Sequence, residues 1–125
     1  MAIPYPGKPV RGSRTGAPIM ALFDLLGRKW AMGIIWNLSY GPATFRALQD
    51  ACESISPSIL NSRLKDLREA KLIDRSLEGY HLTQMGQALF DLLKPFGEWS
   101  IRWAQMMDPK KKDYWDTFRK KRKQL

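Results

Sequence analysis

Apolar residues recur along this chain at helical intervals and change rhythm at one place. Ile19, Leu22, Phe23 and Leu26 fall three or four residues apart and stop at Gly27. That spacing predicts a first helix opening at Pro18, whose fixed φ suits the first helical position. Trp30, Ile34 and Leu38 form a second stripe, which Ile35 and Trp36 widen into a face fit for deep burial. It predicts a helix over about 29–39, stopped by Gly41-Pro42. A short third helix is expected over about 44–51, with Thr44 as N-cap and Phe45 and Leu48 turned inward. Ser56-Pro57 is the strongest start signal in the chain, a serine cap followed by proline in the first turn. The helix behind it sets Leu60, Leu64 and Leu67 on one face and Ser58, Asn61, Ser62, Lys65 and Glu69 on the other.

After Leu72 the period shortens. Leu72 to Arg75 and Tyr80 to Leu82 read as two short strands joined around Leu77-Glu78-Gly79. Thr83 then precedes a helix running to about Met107. Its Met85, Leu89, Leu92, Phe96, Trp99, Trp103 and Met106 are spaced 4, 3, 4, 3, 4 and 3, a near-heptad repeat, and Phe90, Leu93 and Ile101 add a second apolar face. A small domain cannot cover both faces from within, and a partner helix is the simplest cover. Pro95 removes one bond of the helical ladder, which predicts a kink or a split there.

The order of elements is helix, helix, short helix, turn, capped helix, hairpin, long helix. It is a mainly α architecture with a small β-hairpin: a helix-turn-helix whose hairpin makes it a winged helix, with a long C-terminal dimerisation helix. At 125 residues the chain supports one core, and 44% hydrophobic with 26% charged residues is an ordinary globular composition. The expected organisation is a flexible N-terminal arm over 1–16, the winged helix-turn-helix over 17–107 and a basic tail over 108–125.

Several function classes drop out. The single cysteine, Cys52, excludes a disulfide within the chain, and with the single histidine it cannot build a dedicated zinc cage, so neither metal nor cofactor is expected. There is no phosphate-cradling glycine loop and no paired nucleophile and base. Asp24, Asp50 and Glu53 show no catalytic spacing, so an enzyme is not expected. The longest uncharged run, Trp30 to Phe45, is 16 residues and is interrupted by Asn37, Ser39, Gly41 and Pro42, which argues against a membrane span. The Pro/Gly-punctuated start does not read as a signal peptide, and the expected location is the cytoplasm.

Charge sharpens the picture. The net charge of +9 favours a polyanionic partner, nucleic acid ahead of an anionic membrane surface. Residues 1–16 carry +3 and residues 108–125 carry +5, leaving +1 on the body between them. Terminal lysines that merely keep a protein soluble would give the same composition. In the tail, Tyr114, Trp115 and Phe118 suit base stacking, a membrane surface or docking on a dimer; Arg119 to Lys123 suits solvent or non-specific DNA affinity.

Short polar side chains on the Ser56 helix permit close backbone approach to a major groove. Asn61 matches an adenine edge, Ser58 and Ser62 can donate or accept, and Lys65 reaches phosphate or guanine. A solvated helix surface has the same residue types; the hairpin and the basic charge tip the balance towards DNA. An RNA-binding or protein-interaction winged helix without operator specificity is the alternative.

Gly27-Arg28-Lys29-Trp30, the run Gly41 to Leu48, Ile55-Ser56-Pro57-Ser58-Ile59-Leu60, the run Leu64 to Ile73 and Leu82-Thr83-Gln84-Met85-Gly86 together resemble the HxlR-type winged helix-turn-helix regulators. The resemblance covers about 17–107. It implies a bacterial-type homodimeric transcription factor bound to a double-stranded DNA operator, with the helix over about Ser56–Ala70 in the major groove. On matching positions Lys29, Thr44 and Arg46 lie near phosphates, and Ser56, Pro57, Ser58, Asn61, Ser62 and Lys65 line the groove. The first and last helices would form the dimer through Ile19, Leu22, Phe23, Leu89, Leu93, Phe96, Trp99 and Trp103.

Two departures stand out. Many proteins of this type carry a sensing cysteine just before the first-helix proline, where this chain has Ala17; Cys52 lies elsewhere and reads as a small, partly buried hydrophobe rather than a redox switch. The hairpin turn is also short, so that only Arg75 and His81 are placed to approach a minor groove or phosphate, His81 reading more readily as a solvent-facing strand residue. Trp30, Trp36, Trp99 and Trp103 suit either a pocket for a small-molecule effector of unspecified identity or plain core and dimer packing.

Overall fold

The computed structural model describes residues 3–111; Tyr114, Trp115, Phe118 and the basic run after them lie outside the described residues. Five helices and one hairpin follow in the order α1 (Pro18–Leu26), α2 (Ala31–Leu38), α3 (Phe45–Ala51), α4 (Pro57–Glu69), β1 (Ile73–Ser76), β2 (Gly79–Leu82) and α5 (Gln84–Met107).

Local chemistry starts these elements. Pro18 occupies the first turn of α1. Thr44, Ser56 and Thr83 each cap a helix: their hydroxyl oxygens accept from the backbone N–H of Ala47 (3.1 Å), Ile59 (3.2 Å) and Gly86 (3.1 Å). Each such cap is worth about 1 kcal/mol. The core is then assembled from one face per helix. Ile34 and Ile35 of α2, Leu48 of α3, Leu60, Leu64 and Leu67 of α4 and Ile73 of β1 are fully buried together, each contributing about 1.5–3 kcal/mol of hydrophobic transfer.

The hairpin is antiparallel, with Ile73 opposite Leu82, Asp74 opposite His81, Arg75 opposite Tyr80 and Ser76 opposite Gly79. A third segment joins it. The Ala43 N–H donates to the Tyr80 carbonyl (2.9 Å) and the Tyr80 N–H to the Ala43 carbonyl (2.8 Å), tying the entry to α3 onto the wing. Gly79 permits this: its φ is +113°, and a Cβ there would lie 2.5 Å from the Ala43 oxygen. β1 begins one residue later than its hydrophobic pattern suggests, because the Leu72 backbone is already committed. Its N–H donates to Leu67 (3.0 Å) and its carbonyl accepts from Thr83 (3.0 Å).

α2 begins at Ala31, two residues after the start its stripe predicts. Trp30 adopts the left-handed region at φ 71° and turns the chain between α1 and α2, its ring packed against the core. A bulky residue at positive φ is strained; burial of the indole offsets that cost. Pro95 lies within a continuous α5 and does not split it. One missing ladder bond in 24 residues is outweighed by the packing of Leu89, Phe90 and Leu93 on the core.

Residues 3–17 fold back on the body. The Gly7 N–H donates to Gly16 (2.9 Å), Val10 and Ser13 exchange backbone bonds (2.8 and 3.1 Å), and Ile3 packs on the core. Among the described residues no helix is long and apolar enough to cross a membrane.

Candidate nucleic-acid interface

α4 has two chemically different faces. Leu60, Leu64 and Leu67 point into the core, while Ser58, Asn61, Ser62, Lys65 and Glu69 on the opposite side are all exposed. Ser56 and Pro57 are exposed at the start of the helix, and Thr44, Arg46 and Lys29 are exposed nearby in sequence order at the starts of α3 and before α2. The cap oxygens of Ser56 and Thr44 are occupied by backbone N–H groups, yet each hydroxyl hydrogen stays available as a donor to an incoming phosphate.

Besides its core leucines, α4 is fastened by an ionic knot that periodicity in apolar residues alone does not reveal. Asp66, 5% exposed, accepts through Oδ2 from Arg28 Nη1 (3.0 Å) and Arg63 Nη1 (2.9 Å). Arg63 Nε also donates to the Lys29 carbonyl (2.7 Å). The turn between α1 and α2 is thereby fastened to the flank of α4, and Lys29 is exposed beside Arg63. A signal for this existed: Ile59, Arg63, Asp66 and Ala70 are spaced 4, 3 and 4 along one helical line, with opposite charges at its centre.

The wing separates two residues that the sequence groups together. Residues directly opposite in a hairpin share a face and successive residues alternate. Arg75 therefore shares the face of Tyr80, where its guanidinium lies 5.5 Å above the ring. His81 is half-buried on the other face beside Asp74, which pairs with Arg68 of α4 at 3.6 Å. An acid next to His81 makes it the weaker of the two as a phosphate contact.

Among the candidate dimer residues, Ile19, Phe23, Phe96, Trp99 and Trp103 are exposed, the last three at 64%, 53% and 50%. Leu93 is a correction: at 9% exposure it belongs to the chain's own core. Leu22 and Leu89 are half-buried and pack on that core as well. The heptad stripe of α5 and its core-facing stripe are thus different stripes, about 100° apart around the helix, and Leu93 lies on the inner one. Leu92, absent from the candidate set, is exposed on the outer one.

A largely apolar groove of about 630 Å³ opens between α1, α2 and α5, lined by Phe23, Met32, Trp36, Leu93 and Phe96. Of the four tryptophans suited to an effector pocket, only Trp36 lines it; its ring meets Phe90 edge-on at 5.1 Å. Cys52 is completely buried, further in than a partly buried hydrophobe, and burial aided by Glu53 pushes its thiol up to about 11. A thiol so placed stays protonated at neutral pH.

Known proteins share this arrangement. The HTH-type transcriptional regulator YodB of Bacillus subtilis is 29% identical over 93 residues, 69% of this chain and 83% of YodB. The HTH-type transcriptional regulator MJ0925 of Methanocaldococcus jannaschii is 26% identical over 95 residues, 73% of this chain and 90% of that protein. Among solved structures, reduced YodB matches with a TM-score of 0.63 at 30% identity, covering 76% of this chain and 98% of the YodB chain. Quinone-bound YodB matches with the same score at 31% identity, covering 67% and 96%. The HxlR-like helix-turn-helix family matches residues 25–108, two thirds of the chain, and the capped α4, its buried leucine face and the adjoining hairpin are the parts of that fold: the chain belongs to the HxlR-like helix-turn-helix family.

Proposed function

We propose that this protein is a DNA-binding transcriptional regulator that acts as a homodimer and reads its operator with α4 in the major groove. One observation carries the reading: α4 exposes Ser58, Asn61, Ser62 and Lys65 side by side while its leucines anchor it to the core. Small polar side chains let the helix backbone approach base edges, and Asn61 supplies the two-pronged donor and acceptor that an adenine presents a match for. Thr44, Arg46 and Lys29 supply flanking phosphate contacts, and Arg75 extends them along the wing; His81, beside an acid, is a minor contributor. Family membership and the HTH regulators among its relatives support the same partner.

The homodimer is supported by the exposed apolar surface of α1 and α5. Ile19, Phe23, Leu92, Phe96, Trp99 and Trp103 are each at least half exposed, and large apolar side chains gathered on two helices in this way mark an interaction surface. A two-fold pair would place two copies of α4 one or two helical turns apart on DNA.

Selection of bound sequences from a random duplex library tests this directly. The expected outcome is an inverted repeat with half-site centres about 10–21 base pairs apart. Equal affinity for scrambled duplex, or a preference for structured RNA at matched salt, would overturn the assignment.

A further inference from the structure

The N-terminal loop brings a cation to the α1–α2 turn that the helix-turn-helix itself does not contain. The paired bonds between Val10 and Ser13 put Arg11 and Gly12 at the tip of a tight turn. Asp24 of α1 receives that tip: its Oδ2 accepts the Arg11 backbone N–H (3.2 Å), and its Oδ1 lies 3.7 Å from Arg11 Nε. Beside it lies a polar hollow of about 410 Å³ lined by Arg11, Asp24, Gly27, Arg28, Lys29 and Arg63. Four cationic side chains from three separate segments line it beside a single carboxylate, which pairs with Arg11, while Arg28 and Arg63 pair with Asp66.

The framework of the hollow is held rigidly and its two outer cations are not. Arg63 is engaged by Asp66 and the Lys29 carbonyl, so the Lys29 backbone is fixed while its ammonium projects into solvent. The Arg11 side chain is 80% exposed and that of Asp24 13% exposed; at 3.7 Å, with the guanidinium in water, the pair contributes little, about 0–1 kcal/mol. Its guanidinium is therefore available to a better anion. Arginine matches phosphate oxygens in a two-pronged fashion, and lysine adds a point charge. The hollow borders α4 at Arg63, the residue next to Ser62 of the exposed polar face.

We propose that Arg11 and Lys29 form a clamp for a DNA backbone phosphate flanking the α4 contact, so that the N-terminal loop is part of the nucleic-acid interface. This rests on the reading of α4 as the groove-facing helix. Arg11 enters as a phosphate contact held in place by Asp24, and it adds affinity without adding base preference.

The test is fluorescence anisotropy of the full chain with its selected operator and with a scrambled duplex across a salt series. Arg11→Gln and Lys29→Gln should each weaken both duplexes by the same factor, about threefold to tenfold at low salt, and lower the slope of log affinity against log salt by about 0.9. Arg11→Lys should restore the slope. Unfolding midpoints equal to that of the original protein guard against a folding defect, and rescue by lysine keeps the proposal falsifiable should Arg11→Gln be destabilised. An unchanged slope in either glutamine variant, or a loss confined to one sequence, overturns the clamp. If Asn61→Ala still relaxes base preference in the same assay, the clamp falls alone; if the original protein binds no duplex, both readings fall. A parallel titration with inorganic phosphate separates the sources: protection by phosphate that Arg11→Gln abolishes, with DNA slopes unchanged, assigns the hollow to a free anion and overturns the DNA clamp.

Discussion

α4 and α5 solve the same problem with opposite remainders. Each buries one face in the shared core, α4 through Leu60, Leu64 and Leu67, α5 through Leu93 with Leu89 and Phe90 packed beside it. What is left over on α4 is serine, asparagine and lysine, which water already satisfies. What is left over on α5 is Leu92, Phe96, Trp99, Trp103 and Met106, which water does not. An exposed polar face costs nothing while it waits for a partner, so it suits an encounter that is made and broken. An exposed apolar face of this extent is a standing penalty that favours a permanent cover. On the proposed function, that difference would separate a surface for reversible recognition from a surface for constitutive assembly.

The largest effect should come from undoing the support of α4. Asp66→Ala leaves two mostly buried guanidinium groups, Arg28 and Arg63, without their shared carboxylate. Urea unfolding should show a loss of about 3–5 kcal/mol; a loss under 1 kcal/mol would mean that the ionic knot does not hold the helix. Next, Trp99→Glu on the outer stripe of α5 should weaken self-association by at least about 2 kcal/mol, some thirtyfold in the dissociation constant. Sedimentation should then show a dimer for the original chain and a monomer for the variant, with the helical content intact. If the variant associates as before, that stripe is not the assembly surface.

Two smaller effects distinguish base reading from positioning on the polar side. Asn61→Ala should cost about 1–3 kcal/mol on the selected operator and relax preference at one base pair. Equal loss on every duplex would remove Asn61 from base recognition. Arg46→Gln should weaken all duplexes alike and lower the salt slope by about 0.9, leaving the preferred sequence unchanged; a shifted preference would place Arg46 on a base instead of a phosphate.

Much of this was legible along the chain. The start signals at Pro18, Thr44 and Ser56 and the 3.5-residue stripe of α5 depend on neighbours within a turn, and they correspond to the observed elements. The HxlR-type resemblance, built on motifs from Gly27 to Gly86, is borne out by the family match. Errors arose where a residue answers to distant partners. Leu93 belongs to the second apolar face in the sequence pattern yet stands among the candidate dimer residues, because spacing cannot say which of two apolar faces meets the core. α2 starts late because Trp30 turns the chain to bury its ring, a tertiary demand that a helical stripe cannot register. Arg75 and His81 fall on opposite faces because a one-residue difference in strand register reverses a side chain.

The amino-acid order by itself determined which segments are helices, where those opened by a cap or a proline begin and which face of α4 is polar, because caps, prolines and periodicity act over a few residues. Only the tertiary structure decided that Asp66, paired locally with Arg63, also binds Arg28 38 residues away, that Arg11 lies against Asp24, and that the tryptophan stripe of α5 is the face left uncovered. Those outcomes turn on long-range electrostatics and on the finite capacity of one small core. Neither quantity exists until the chain has folded back on itself.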